Sequence, residues 1–222
     1  MSRFALLIWV LRRRATDARM LDPLLRRWID PPLDRAGAWL AAWGASANAV
    51  TITGLAAGLG AVPLLAFEQY GVALAAIALS RLLDGLDGAV ARHTRSSPYG
   101  GYLDIFCDMV FYAAVPLGFA LARPENAVWA AVLLASFVCT CASFLGRAVL
   151  AAGRGESDTG RRGRKSFFHA AGLIEGTETI LAFVLFCLLP DLFPWLAGLV
   201  AALCVWTAVA RVIEAHSADS ES

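Results

Sequence analysis

Four aspartates stand in the stretch DGLDGAVARHTRSSPYGGYLDIFCD, residues 84–108, at the junction of two long apolar runs. Asp84 and Asp87 are three apart, and Asp104 and Asp108 are four apart. On helices, each pair therefore shares one face. If the two helices are neighbours, four carboxylates converge on one small volume. Anions that close cannot all stay ionised unless cations hold them together. Hard oxygen ligands of this kind select Mg²⁺ or Mn²⁺ over softer metals. The bland alternative is an accidental acidic loop between two helices. An ionisable residue at membrane depth is costly, however, and marks a functional site by default.

The elements that must position these acids are membrane helices. The chain has 222 residues, 59% of them hydrophobic, and a mean hydropathy of +0.62, outside the ordinary soluble range. A span takes about 20 apolar residues. Six runs qualify as candidates: 48–67, 70–91, 102–121, 127–151, 168–189 and 195–215. The sequence thus predicts an all-α, polytopic protein of six transmembrane helices preceded by an amphipathic juxtamembrane helix. It divides into a cytoplasmic segment 1–46, a membrane domain 47–215 and a polar tail 216–222. Ser96, Ser97, Pro98, Gly100 and Gly101 make a short turn between the second and third spans. A connection that short makes those helices antiparallel neighbours and brings the two aspartate pairs together.

Charge distribution supplies an orientation. Eight arginines precede the first span, Arg92 and Arg95 follow the second, and Arg154, Arg161, Arg162, Arg164 and Lys165 follow the fourth. The opposite connections hold only Arg123 among basic residues, with Glu68, Glu125 and Asp191. The positive-inside rule places both termini and the aspartates on the cytoplasmic side of a cell inner or plasma membrane. Tyr70, Trp129 and Trp195 then fall in an outer aromatic belt. All five cysteines lie inside predicted spans with no zinc-ligand spacing, so they read as packing residues.

The pattern DxxDGxxAR, seven residues, then GxxxDxxxD is complete in Asp84, Asp87, Gly88, Ala91, Arg92, Gly100, Asp104 and Asp108. It resembles the signature of the CDP-alcohol phosphatidyltransferase family, strongly over residues 48–108 and by architecture alone beyond them. The resemblance implies an enzyme of phospholipid biosynthesis that transfers a phosphatidyl group from CDP-diacylglycerol to a polar alcohol, releasing CMP. It implies two divalent ions (Mg²⁺ or Mn²⁺), with Asp84, Asp87 and Asp104 as ligands. Asp108 would be a metal neighbour and the general base. Gly88, Ala91 and Arg92 would contact the cytidine diphosphate. The family often carries Pro-Asn-x-x-Thr at the mouth of the first span. This chain keeps Asn48 and Thr51 with Ala47 in place of the proline, and both residues are expected beside the nucleotide. A homodimer is a further family expectation, and no nucleic-acid partner is expected.

The residues themselves are compatible with these roles. Gly88 and Ala91 leave the backbone open to a nucleotide or diphosphate, and Arg92 suits bidentate phosphate contact or, more blandly, snorkelling. Leu33, Ala36, Leu40 and Trp43 are spaced for one apolar face, with Asp34 and Arg35 off it, in an interfacial helix broken at Pro31 and Pro32. Small residues in the first span permit close helix approach. Arg147, near the end of the fourth span, is expected to face a partner or a cavity. Glu175 and Glu178 either pair with a basic group or help form an acceptor pocket. His169 reads as interfacial, and the cluster from Arg161 to Lys165 serves topology and lipid as readily as substrate. The opening run before Met20 is a surface anchor or an over-extended start. Two other readings stay open: a divalent-metal transporter, in which Gly88, Ala91 and Arg92 have no task, and an inactive membrane partner protein.

Overall fold

The computed structural model describes residues 21–153 and 176–220. The first nineteen residues and Met20, the basic cluster after the fourth run, His169 and Glu175 lie outside them. All regular structure among the described residues is helical. The helices are α1 (Leu21–Ala42), α2 (Ala47–Ala66), α3 (Tyr70–His93), α4 (Pro98–Ala122), α5 (Ala127–Gly153), α6 (Gly176–Leu188) and α7 (Phe193–Ser220). Short 3₁₀ turns, Pro124–Asn126 and Pro190–Leu192, precede α5 and α7.

Four described segments are long and apolar enough to cross a membrane: Ala47–Ala66, Pro98–Ala122, Pro124–Leu150 and Pro190–His216. Helix α3 is long enough at 24 residues, but Arg81, Asp84 and Asp87 lower its apolarity. Helix α6 is a shorter apolar helix over the part described. The chemistry-bearing helix is therefore the one that hydropathy alone undervalues.

Helix starts follow from local sequence. Ser46 caps α2 by accepting the Ala49 N–H, and Ser97 caps α4 by accepting that of Gly100, each satisfying a donor that the first turn leaves open. Pro98 opens α4, where its missing N–H costs nothing. Helix α2 packs most extensively on α3 and α4, and α5 pairs with α7. Gly58 allows the first of these packings. A Cβ there would lie 2.5 Å from the Phe111 ring and 2.8 Å from Ser80 Oγ. The core between α4, α6 and α7 is aromatic, with Phe119 stacked on Phe193 at 4.5 Å between centroids and edge-on to Phe186.

The end of the bundle away from the aspartates is tied by charge. Arg123 gives two hydrogen bonds to Glu68, at 3.2 and 2.9 Å, and one to Asp191 at 2.6 Å. These join the turns after α2, α4 and α6. The bond to Arg123 holds the Glu68 carboxyl below its ordinary range and keeps it a strong acceptor at neutral pH. Glu68 has a left-handed backbone (φ 56°), which costs on the order of 1 kcal/mol outside glycine. The paired arginine helps hold that conformation.

Helix α1 departs from expectation in one way: it runs through Pro31 and Pro32 without a break. Its docking on α3 adds contacts that the apolar spacing did not single out. Gly37 is buried, with a built Cβ falling 2.6 Å from Ala89 Cβ, and Leu33 lies against Gly85. Ala36 and Trp43 are exposed, whereas Asp34 is half-buried. The small residues Gly85 and Ala89 on α3 select a matching small residue on α1. That steric fit sets the docked side, and Trp39 and Trp43 are left outward, where tryptophans favour a membrane interface.

Gly58→Ala should cost about 1–3 kcal/mol through overpacking, read as a lower midpoint of thermal unfolding in detergent. Gly60→Ala, whose Cβ would meet nothing within 4 Å, should leave the midpoint unchanged.

Candidate active site

The C-terminal half of α3 and the N-terminal half of α4 bring three of the four aspartates together. One carboxylate oxygen from each of Asp84, Asp104 and Asp108 lies within 4.8 Å of the others. All three are half-buried. The fourth, Asp87, is buried and is not part of this group. Its Oδ2 accepts a 2.6 Å hydrogen bond from Thr51 Oγ1, which comes from α2. Asp87 nevertheless lines the same cleft, with Thr51, Gly54, Leu55, Ser80, Arg81, Asp84, Cys107 and Asp108. The donor set is hard, anionic and drawn from two helices, as Mg²⁺ or Mn²⁺ requires. The residues present therefore fit a divalent-metal site.

Arg81 enters this group, and the sequence analysis did not single it out. Its Nη1 donates to Asp108 Oδ1 at 2.7 Å and lies 3.8 Å from Asp84 Oδ2. Nη2 donates to Ser80 Oγ at 3.2 Å. The guanidinium carbon sits 3.8 Å from the centroid of the Phe111 ring, a favourable cation–π placement. The available signal was an arginine within an apolar run, three residues before Asp84 on the same helix face.

The other expected residues are placed as follows. Asn48, on the first turn of α2, reaches the start of α4: a Cβ at Gly100 would lie 3.1 Å from Asn48 Oδ1. The motif glycine thus gives that side chain room. Gly88 has open space where a Cβ would point. Ala91 is half-buried one helical turn further on.

Arg92 is engaged by α1, where its Nε donates to Asp34 Oδ1 at 3.1 Å and His93 Nε2 lies 3.2 Å from Asp34 Oδ2. This uses one of the five guanidinium N–H groups. The Arg92 hydrogen bond, foremost, holds the Asp34 carboxyl below its ordinary value.

Arg147, on α5, pairs with Glu214 of α7 at 3.3 Å. Arg211 is buried one turn before Glu214. Neither α7 charge was singled out from the sequence, although both interrupt the end of its last apolar run. Glu178 stands in the first turn of α6.

The CDP-alcohol phosphatidyltransferase sequence pattern matches residues 45–213, and the chain belongs to that family. It is similar to Inner membrane protein YnjF of Escherichia coli, 47% identical over 194 residues, 87% of this chain and 94% of that one. It is also similar to archaetidylinositol phosphate synthase of Pyrococcus horikoshii, 36% identical over 98 residues, 44% of this chain and 52% of the relative. Family membership and the apolar helices make it an integral membrane protein of a phospholipid-synthesis family.

Because the Asp34 pKa is depressed in the folded chain, its tie to Arg92 is complete above the ordinary carboxylate value. The tie is lost only as pH falls through the lowered one. Asp34→Asn should raise amide hydrogen exchange across residues 33–43 at neutral pH. The unsubstituted chain should keep its protection from pH 8 to 5.

Proposed function

We propose that this protein transfers a phosphatidyl group from CDP-diacylglycerol to a polar alcohol and releases CMP. The observation that carries the reading is the convergence of Asp84, Asp104 and Asp108 from two helices in a chain of this family. Asp84, Asp104 and Asp87 would hold two divalent ions, Mg²⁺ or Mn²⁺, with Asp108 beside them. Such ions, when bound, neutralise the diphosphate and clamp the attacking and leaving oxygens.

The chain's own groups account for the rest. Asp108 takes the proton of the acceptor hydroxyl as its oxygen bonds to the phosphatidyl phosphorus. The bond from that phosphorus to the CMP oxygen breaks, and CMP carries away the charge. Thr51 orients Asp87 through their hydrogen bond. Asn48, Gly88, Ala91 and Arg92 bind the cytidine diphosphate, with the open space at Gly88 admitting it to the backbone. The acyl chains remain in lipid while the nucleotide enters from water, which suits a site at helix ends.

The reading counts six spans, with α3 and the sequence run 168–189 among them, and the basic connections of the sequence support a cytoplasmic face for these helix ends. The working unit is a homodimer. The acceptor is a polar alcohol, phosphorylated or aminated. Arg147 favours a phosphate and Glu175 with Glu178 an amine. The relative named archaetidylinositol phosphate synthase adds weight to the phosphorylated class.

In detergent, CMP release from CDP-diacylglycerol should require Mg²⁺ or Mn²⁺, and Asp108→Asn should lower kcat by about 10²–10⁴-fold. A panel of glycerol phosphate, inositol phosphate, serine and other amino alcohols then identifies the acceptor. Release that is indifferent to metal or to Asp108 would overturn the reading.

A further inference from the structure

Within the carboxylate group, Asp108 differs from Asp84 in its relation to Arg81. Arg81 donates to Asp108 Oδ1 at 2.7 Å, but stands only at ion-pair range from Asp84, 3.8 Å. That guanidinium is not a loose surface group. Its side chain is 15% exposed, Ser80 Oγ accepts from Nη2, and the fully buried Phe111 ring lies beneath it. Its position is set by Ser80 of α3 and by Phe111 in the core of α4. A carboxylate has two oxygens, and Arg81 occupies one of those on Asp108. A fixed positive charge beside the group also opposes the entry of divalent cations.

We infer that Arg81 is a positioning residue that competes with a divalent ion for Asp108, keeping that carboxylate from full metal ligation and available to an acceptor hydroxyl. This rests on the proposed function and assigns a cause to the division of roles among otherwise similar acids. Replacing Arg81 by a neutral residue releases Asp108 Oδ1 to the metal. The site then binds cations more tightly and turns over more slowly. Arginine at this position thus trades metal affinity for a working base.

The test is Mn²⁺ titration of the full-length protein in detergent, with free Mn²⁺ read by electron paramagnetic resonance, beside CMP-release kinetics. Two neutral variants are used, Arg81→Gln and Arg81→Met, the second keeping the stem over Phe111 in case the first does not fold. Each should bind Mn²⁺ at least about tenfold more tightly than the unsubstituted chain, with kcat reduced. Arg81→Lys, which keeps the charge, should stay closer to the original affinity than either neutral variant. Neutral variants that bind Mn²⁺ equally well or more weakly overturn the inference and leave the proposed function standing. Absence of Mn²⁺ binding from the unsubstituted chain, or binding indifferent to Asp104→Asn, overturns both.

Discussion

Mutual repulsion among carboxylates in an apolar bundle is the constraint to which the rest of this structure answers. Asp84, Asp104 and Asp108 are held within 4.8 Å by their oxygens, at a depth where water screens charge poorly. Left alone, they would push α3 and α4 apart. Among the described residues, two forces oppose this. One is Arg81, a permanent cation seated on Phe111. The other is the packing that fixes the two helices elsewhere along their length.

The packing is built from absences as much as from side chains. Gly58 lets α2 sit on Phe111 and Ser80, next to the residue that anchors Arg81. Gly37 lets α1 reach the backbone of Ala89, which brings Asp34 to Arg92. Small residues are how membrane helices approach closely, because lipid gives no hydrophobic drive to helix pairing. The same small residues place polar groups at the helix ends in register. At the other end of the bundle, Arg123 ties Glu68 and Asp191 from separate turns. The acidic mouth is thereby free to be shaped by its chemistry, with the bundle closed from the far side.

The aspartate spacing, the short Ser96–Gly101 connection and the apolar runs were sufficient to expect neighbouring helices with convergent acids. Periodicity, turn length and span length are local properties, and a sequence carries them openly. Helix α1 shows where this ends. Its apolar spacing marked an interfacial face but not that Gly37 would be the residue buried on α3, because a partner helix chooses by shape and distance. Arg81 was overlooked for a related reason: beside four aspartates in a recognised pattern, one basic residue reads as ordinary.

By itself the sequence determined an all-helical membrane architecture, the family, and an acidic site at the meeting of two helices. Those follow from composition and fixed spacings along one chain. Only the tertiary structure decided which three acids converge, that Asp87 turns to Thr51, that Arg92 is engaged by Asp34, and that Asp108 is paired with Arg81. Each of these joins residues on different helices, and pairing between helices depends on their relative rotation and depth, which no local pattern encodes.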